Sequence, residues 1–393
     1  MRRRDFVKMC AVLGIAGPVV ACGGDDELDE ATGDPGGSAT SVLIVGAGAA
    51  GLSAGYLLTQ QGIDCTILEA GSTHGGRIRR ADDFVDFPIP LGGEWLHDEA
   101  DVLADIVADD AVEIGTELVG YEPDDQFGFY DGAELTIGPL GEYTDLKFVG
   151  ATWLDFFDTY VVPGIADKMV FDTVVERIDH GGDQVVVTDA AGTEYSADFV
   201  VVTVPLTILR DGDIEFVPDL DEDRRAALAD ADVWGGMKVF VEFSERFYPT
   251  FVAFPDSDTR EGQRVYYDAA YGQRSEAHVL GLFAVGAPAE PYQARTGDEL
   301  RDHILAELDE VFDGAASPAY LGHIAQNWSA EPFVRQAYLA DHADWQVARE
   351  LGRPGGDRLY FAGDAYTDGE NWSEVHVAAA SARTAVEAII DRL

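Results

Sequence analysis

Lysine is nearly missing from this chain: four in 393 residues, set against 73 acidic side chains and a net charge of −47. Arginine supplies most of the 26 basic groups. A surface of that sign repels nucleic-acid phosphates and anionic membranes, so no nucleic-acid partner is expected. The charge itself reads as salt tolerance or as a bias of lineage. Cysteine is equally scarce, at three, which excludes a disulfide scaffold. The eight histidines are scattered, with no H-x-x-x-H or C-x-x-C spacing, so no metal site is expected. Hydrophobic residues, in contrast, make up 47% of the chain, with 20 Phe and 15 Tyr, which rules out a disordered acidic protein. At this length two domains are expected.

No apolar run is long enough for a stable membrane span. The opening "MRRRDFVKMCAVLGIAGPVVAC" instead has the basic start, short apolar run and small-residue end of an export signal. Arg3, Arg4, Phe6 and Lys8 resemble a twin-arginine signal, and Val19 to Cys22 a lipobox that would leave Cys22 acylated as the mature terminus. An ordinary cleaved signal is the alternative. Residues 1–22 are thus read as an export signal and 23–40 as an acidic, glycine-rich tether. The expected location is the periplasm or the outer face of the membrane, anchored by lipid. Loss of Cys10 and use of Cys22 leave Cys65 unpartnered, an economy suited to a protein folded around its cofactor before export.

The most specific stretch is "SVLIVGAGAAGLSAGYLLTQQGIDCTILEAG". Ser41 to Val45 reads as a strand, Gly46, Gly48 and Gly51 have G-x-G-x-x-G spacing, and Leu52 to Gln60 reads as a helix. The glycines allow a tight turn, close approach to a pyrophosphate and close helix–strand contact, while N–H groups near Ala49 and Ala50 face the phosphates. A second strand, Cys65 to Leu68, delivers Glu69 and Ala70; the carboxylate suits ribose hydroxyls and repels a 2'-phosphate. Near the other end, "RLYFAGDA" reads as strand and turn, with Gly363 and Asp364 placed to meet a ribityl hydroxyl, followed by a small-residue helix from Glu374 to Ile389.

These segments, together with "GGRIR", "VVTVPLTILRDGDIEFVPDL", "GGMKVFVEF", "NWSAEPFVRQAY" and "VHVAAASARTA", resemble the FAD-dependent amine oxidase family, which includes monoamine oxidases, polyamine oxidases and flavin-dependent histone demethylases. The resemblance covers about half the chain. It implies that Gly75, Gly76 and Arg77 run beneath the flavin phosphates, although Thr73 stands where the family usually has a further arginine. It implies that Gly92, Gly93, Glu94 and Trp95 of "PLGGEWLH" pass the isoalloxazine ring, that the backbone of Val175 meets the adenine, and that Val375 lies at the cofactor. By composition alone Trp95 could equally be core.

Lys238 in "GGMKVFVEF" shares a strand face with Phe240 and Glu242, and alternation alone makes it a solvated charge. The resemblance instead makes it the active-site lysine, which holds a water bonded to flavin N5. Trp328 and Tyr338 match aromatics beside the substrate path. Ala337 stands where monoamine oxidases have the cysteine joined to the flavin, so the FAD is expected to be non-covalent. Glu374 reads either as a pocket carboxylate for a cationic amine or as a helix-start charge. His376 and His97 are divided between pocket and packing.

The expected fold class is α/β, a Rossmann-like FAD-binding domain interleaved with a reduced α+β substrate domain. The FAD-binding parts are 41–97, 171–212 and 350–393, and the substrate parts are 98–170, shortened relative to the family, and 213–349. Such a short cap implies an open site or one completed by another subunit, as in a homodimer. The resemblance implies oxidation of a primary amine, polyamine or amino acid by hydride transfer to FAD, hydrolysis of the imine, and reoxidation by O2 to hydrogen peroxide. The alternatives are a dehydrogenase or desaturase with another electron acceptor, and a redox-inert FAD-binding surface protein.

Overall fold

The computed structural model describes residues 40–340, 343–367 and 371–393. The expected export signal and lipobox lie outside the described residues, as does all of the tether but its last residue. Among the described residues no helix is long and apolar enough to cross a membrane.

The nucleotide side is built on five parallel strands in the order Leu359–Phe361, Phe199–Val202, Ser41–Val45, Asp64–Leu68, Met169–Val170. The central strand is apolar on both faces: Val42 and Ile44 pack into one core, Leu43 and Val45 into another. That is what a parallel strand covered on both sides requires. Chain order reverses between Ser41–Val45 and Phe199–Val202, so the glycine loop leaves the sheet at the crevice where such folds bind ligands. The helix Ala49–Gln60 packs against the C-terminal helix Val375–Ile390. The expected meander is present as Val175–Asp179, Val185–Asp189 and Glu194–Ala197, with Glu215–Val217 alongside.

The second sheet has seven strands in the order Tyr320–Asn327, Gly236–Phe243, His278–Gly286, Gly262–Asp268, Phe251–Ala253, Gln126–Tyr130, Leu135–Pro139. One face, with Met237, Val239, Val241 and Phe243, packs on the amphipathic helix Gly297–Val311. The other, with Phe240, Tyr267 and Val279, faces an aromatic layer that includes Trp95 and Phe283. The alternation expected for the lysine strand is therefore present, but neither face is solvent.

Segment 98–170 is divided differently from the expectation. Gln126–Tyr130 and Leu135–Pro139 do extend the second sheet. Leu103, Ile106 and Val107, with Trp153, Phe156 and Phe157, instead fill the nucleotide-side core, and Met169–Val170 edges its sheet.

Candidate active site

Gly46 turns the chain with φ +107°, and a side chain on Gly51 would fall 1.9 Å from its carbonyl oxygen. The helix that follows starts at Ala49 with Gly48 as its cap, no capping side chain and no acidic residue in its first turn. Its leading N–H groups can therefore donate to an anion. A side chain on Gly48 would meet nothing within 4 Å, so the space before those donors is open, and Gly75 and Gly76 close its edge through a bridge between Gly48 and Gly75. Glu69 lies where the sequence placed it: Oε2 accepts from the Ala47 N–H at 2.7 Å and Oε1 from the Gly71 N–H at 2.8 Å. Four lone-pair sites serve two donors, which leaves capacity for ribose hydroxyls. Ala50 is buried at the helix start, and Val175 begins the meander two residues after Thr173 donates to the Glu69 carbonyl. This uncapped, open, glycine-lined cradle fits a dinucleotide such as FAD.

Arg77 and Asp364, expected at the flavin phosphates and the ribityl chain, are bonded to each other: the guanidinium donates to both Asp364 oxygens, one at 3.0 Å, and also to the Ala337 carbonyl. Three segments far apart in sequence are joined there. Gly363 is fixed behind them by its N–H to Ser381 Oγ, 2.8 Å.

Lys238 is not a surface charge. It is 4% exposed, and its Nζ donates to Glu94 Oε2 at 2.6 Å. The Tyr267 hydroxyl donates to the same oxygen, while Lys147 Nζ faces Oε1 at 3.4 Å and donates to the Ala269 carbonyl at 2.9 Å. The Lys238 ammonium also lies over the Trp95 ring, 5.0 Å from its centre. Burial pushes the Lys238 ammonium below its ordinary value, partly offset by Glu94. Burial opposes charge on Glu94 too, but the two ammonium groups and the donated bonds outweigh it and hold its carboxyl below the usual carboxylate range. The Glu94 side chain, expected at the cofactor, is thus turned into a lysine pair, which leaves its backbone to line the loop.

Sequence reasoning missed Lys147 and Tyr267. The one available signal was scarcity: with only four lysines, each survivor in an apolar context is a candidate for a buried role.

Trp95 and Tyr338 are brought to the same place. Lys238 pairs across the sheet with Phe283, whose ring stacks parallel to Tyr338, 6.4 Å between centres at 9°. Trp95 packs edge-on to both Phe283 and Tyr267, and its Nε1 donates to the Tyr121 hydroxyl at 3.0 Å. Trp328 meets the glycine loop instead: Nε1 donates to the Leu91 carbonyl at 2.9 Å, and its ring stands 2.9 Å from where a Gly92 side chain would begin. Gly93 is likewise closed in by Val375, 2.8 Å from an ideal Cβ. Ala337 packs against Gly236, and the one cysteine among the described residues, Cys65, is buried in the nucleotide-side core.

Glu374 caps the C-terminal helix, but its carboxylate turns to His376 Nε2, at 3.0 Å, rather than to the helix N–H groups. Asp98 approaches the same nitrogen at 3.5 Å, and His97 Nδ1 lies 3.0 Å from the buried Asp145. Among the described residues no cluster of His, Cys, Asp and Glu suits a metal ion.

Known proteins resemble this chain in family and in fold. A profile of the family described as flavin containing amine oxidoreductase matches residues 164–390, and one described as NAD(P)-binding Rossmann-like domain matches residues 44–109. Human lysine-specific histone demethylase 2 is 24% identical over 76% of this chain and 47% of its own length. A probable polyamine oxidase 4 of Arabidopsis thaliana is 21% identical over 83% of this chain and 82% of its own. The chain spans about half the length of the human and mouse demethylases it matches. Among solved structures, cyclohexylamine oxidase from Brevibacterium oxydans superimposes with TM-score 0.75 at 15% identity, covering 90% of this chain and 99% of that one. Wild-type putrescine oxidase bound to putrescine gives 0.73 at 15%, covering 90% and 100%. At such identity the likeness is one of fold.

Proposed function

Because this chain belongs to the flavin-containing amine oxidoreductase family, we propose that it oxidises a small amine with non-covalent FAD and O2, releasing hydrogen peroxide. The observation that carries the reading is the buried Lys238 ammonium beside Trp95, Phe283 and Tyr338, in a fold whose glycine cradle fits the cofactor. When bound, FAD supplies the two-electron acceptor that takes the substrate to the imine level and returns the electrons to O2.

The rest falls to the chain's own groups. The Gly46–Gly51 turn and the uncapped helix hold the pyrophosphate, and Glu69 the adenosine ribose. Arg77 and Asp364 fix the turn beneath the cofactor and tie it to Ala337. Lys238 keeps a hydrolytic water in place and offers positive charge where O2 gains electrons. Tyr338 and Trp328 exclude bulk water from the approach. Carboxylates at Glu374, Asp98 and Asp145, each against a histidine, favour a cationic amine over a neutral or acidic substrate. Substrates of the size of putrescine or cyclohexylamine, the amines named for the two structural neighbours, are the first choice.

The working site is proposed to face the exterior, the protein being exported by its twin-arginine-like start and anchored through Cys22. A homodimer that completes the short cap remains part of this reading.

The test is a panel of primary amines, diamines and amino acids added anaerobically to the flavin-loaded protein. At least one small amine is expected to bleach the flavin, and air should restore the colour with release of peroxide. Bleaching without peroxide in air would favour another electron acceptor. No bleaching by any amine would overturn the proposal.

A further inference from the structure

A small cavity beside the lysine pair adjoins a surface pocket. A shallow surface pocket of about 300 Å³, rimmed by Asp82, Asp86 and Asp155, shares Phe87 and Pro88 with an inner cavity of about 10 Å³ that touches both Glu94 and Lys147. That inner volume suits a single water. Glu94 Oε1 is buried, makes no well-directed hydrogen bond among the described residues, and lies in direct ion-pair contact with Lys147 at 3.4 Å. Its other oxygen is already bonded to Lys238. One carboxylate therefore joins two amines, one at the aromatic wall of the site and the other at the inner cavity.

We propose that Lys147, Glu94 and Lys238 form a proton relay between the reaction site and the Phe87–Pro88 pocket. The inference rests on the amine-oxidation reading above. In that chemistry an alkylammonium, O2 and water become an aldehyde, ammonium and peroxide. The substrate must shed an N–H proton before its C–H bond is oxidised. O2 gains two electrons and two protons on becoming peroxide, one arriving with the electron pair from the C–H bond and the other matching the N–H proton lost earlier. The two events are separated in time, so that proton must be held or exchanged with solvent between them. Two amines and one carboxylate, when full, carry one excess positive charge, which burial disfavours. The depressed value of Lys238 fits a group that gives up its proton readily. Of the other ionisable groups packed round the set, Tyr267 donates to Glu94, and burial first, then Glu94, pushes it well above its ordinary value. Tyr121 is bonded to Trp95, Asp145 is taken by His97, and Asp268 by Arg246.

Lys147→Arg separates a relay from a purely electrostatic role, because arginine keeps the charge but does not release a proton. Reoxidation of amine-reduced holoenzyme would be followed by stopped flow in H2O and D2O, with Lys147→Met alongside. The relay predicts that both variants slow the oxygen step by about tenfold or more, with a larger solvent isotope effect. An Lys147→Arg variant as fast as wild type overturns it. A second measurement needs neither variant nor substrate. The chain has only four lysines, Lys8, Lys147, Lys168 and Lys238, so lysine labelled with 15N at Nζ gives at most four signals in the wild-type holoenzyme. The Lys147 signal should move in the pH step that titrates Lys238, while Lys168, paired with Asp64 at the surface, stays apart. A Lys147 signal indifferent to Lys238 overturns the relay while leaving the functional reading intact; failure of every amine to bleach the flavin overturns that reading instead.

Discussion

Lys238 Nζ and Glu94 Oε2 lie 2.6 Å apart, although 144 residues separate them, and both side chains are almost fully withdrawn from solvent. This pair fixes the active-site loop of residues 91–97 against the strand of the second sheet. It also decides how the site answers to pH.

Replacing Glu94 by Gln removes the only carboxylate bonded to either buried amine among the described residues. A buried charge stripped of its partner costs about 3–5 kcal/mol, so the variant should melt well below wild type. The loss should shrink as pH rises toward the ordinary lysine range. The native Lys238 holds its proton less tightly than in the unfolded chain, so stability increases with pH until the unfolded lysine is also neutral. In wild type the Glu94 contribution is complete above the usual carboxylate range and is lost as pH falls through its depressed native value. Thermal melts of both proteins across pH check the two limbs; equal melting temperatures throughout would remove Glu94 from the account.

Acid or heat denaturation should release all of the flavin as free FAD. Ala337 offers no sulfur at the position of the family's thioether, and Cys65 is buried in the nucleotide-side core. Colour that stays with the precipitated chain would reveal a covalent link elsewhere.

The mature amino terminus should be an acylated Cys22. Paired arginines ahead of a short apolar run and the "VVAC" sequence motivate this. Mass spectrometry of protein from the membrane fraction reads it directly, and an unmodified terminus beyond residue 22 would contradict the lipid anchor.

The glycine turn, its two flanking strands and Glu69 were legible in the sequence because their chemistry is local: turn, strand and acid follow one another within 30 residues. The meander and the helix Gly297–Val311 were legible for the same reason, through period and turn residues. Lys238 was not, since alternation on its strand points outward unless something charged and distant covers that face. The covering groups, Glu94, Lys147 and Tyr267, come from a loop and two other strands, so only resemblance pointed to the residue. The bond between Arg77 and Asp364, 287 positions apart, was hidden in the same way, as was the parallel pairing of Gln126–Tyr130 with Phe251–Ala253.

Whether Lys238 works beside a flavin on an amine is decided by the Lys238→Met variant. Methionine has a similar length without the charge and leaves the nucleotide cradle untouched. The variant loses the buried pair with Glu94 and should melt below wild type, but Lys147 and Tyr267 still hold that carboxylate, so it should fold and retain FAD. It is followed in two stopped-flow phases: anaerobic bleaching by an amine that bleaches wild type, then recovery on mixing with oxygen. At least one phase should slow by about a hundredfold or more. A variant that matches wild type in both phases would contradict that role of Lys238.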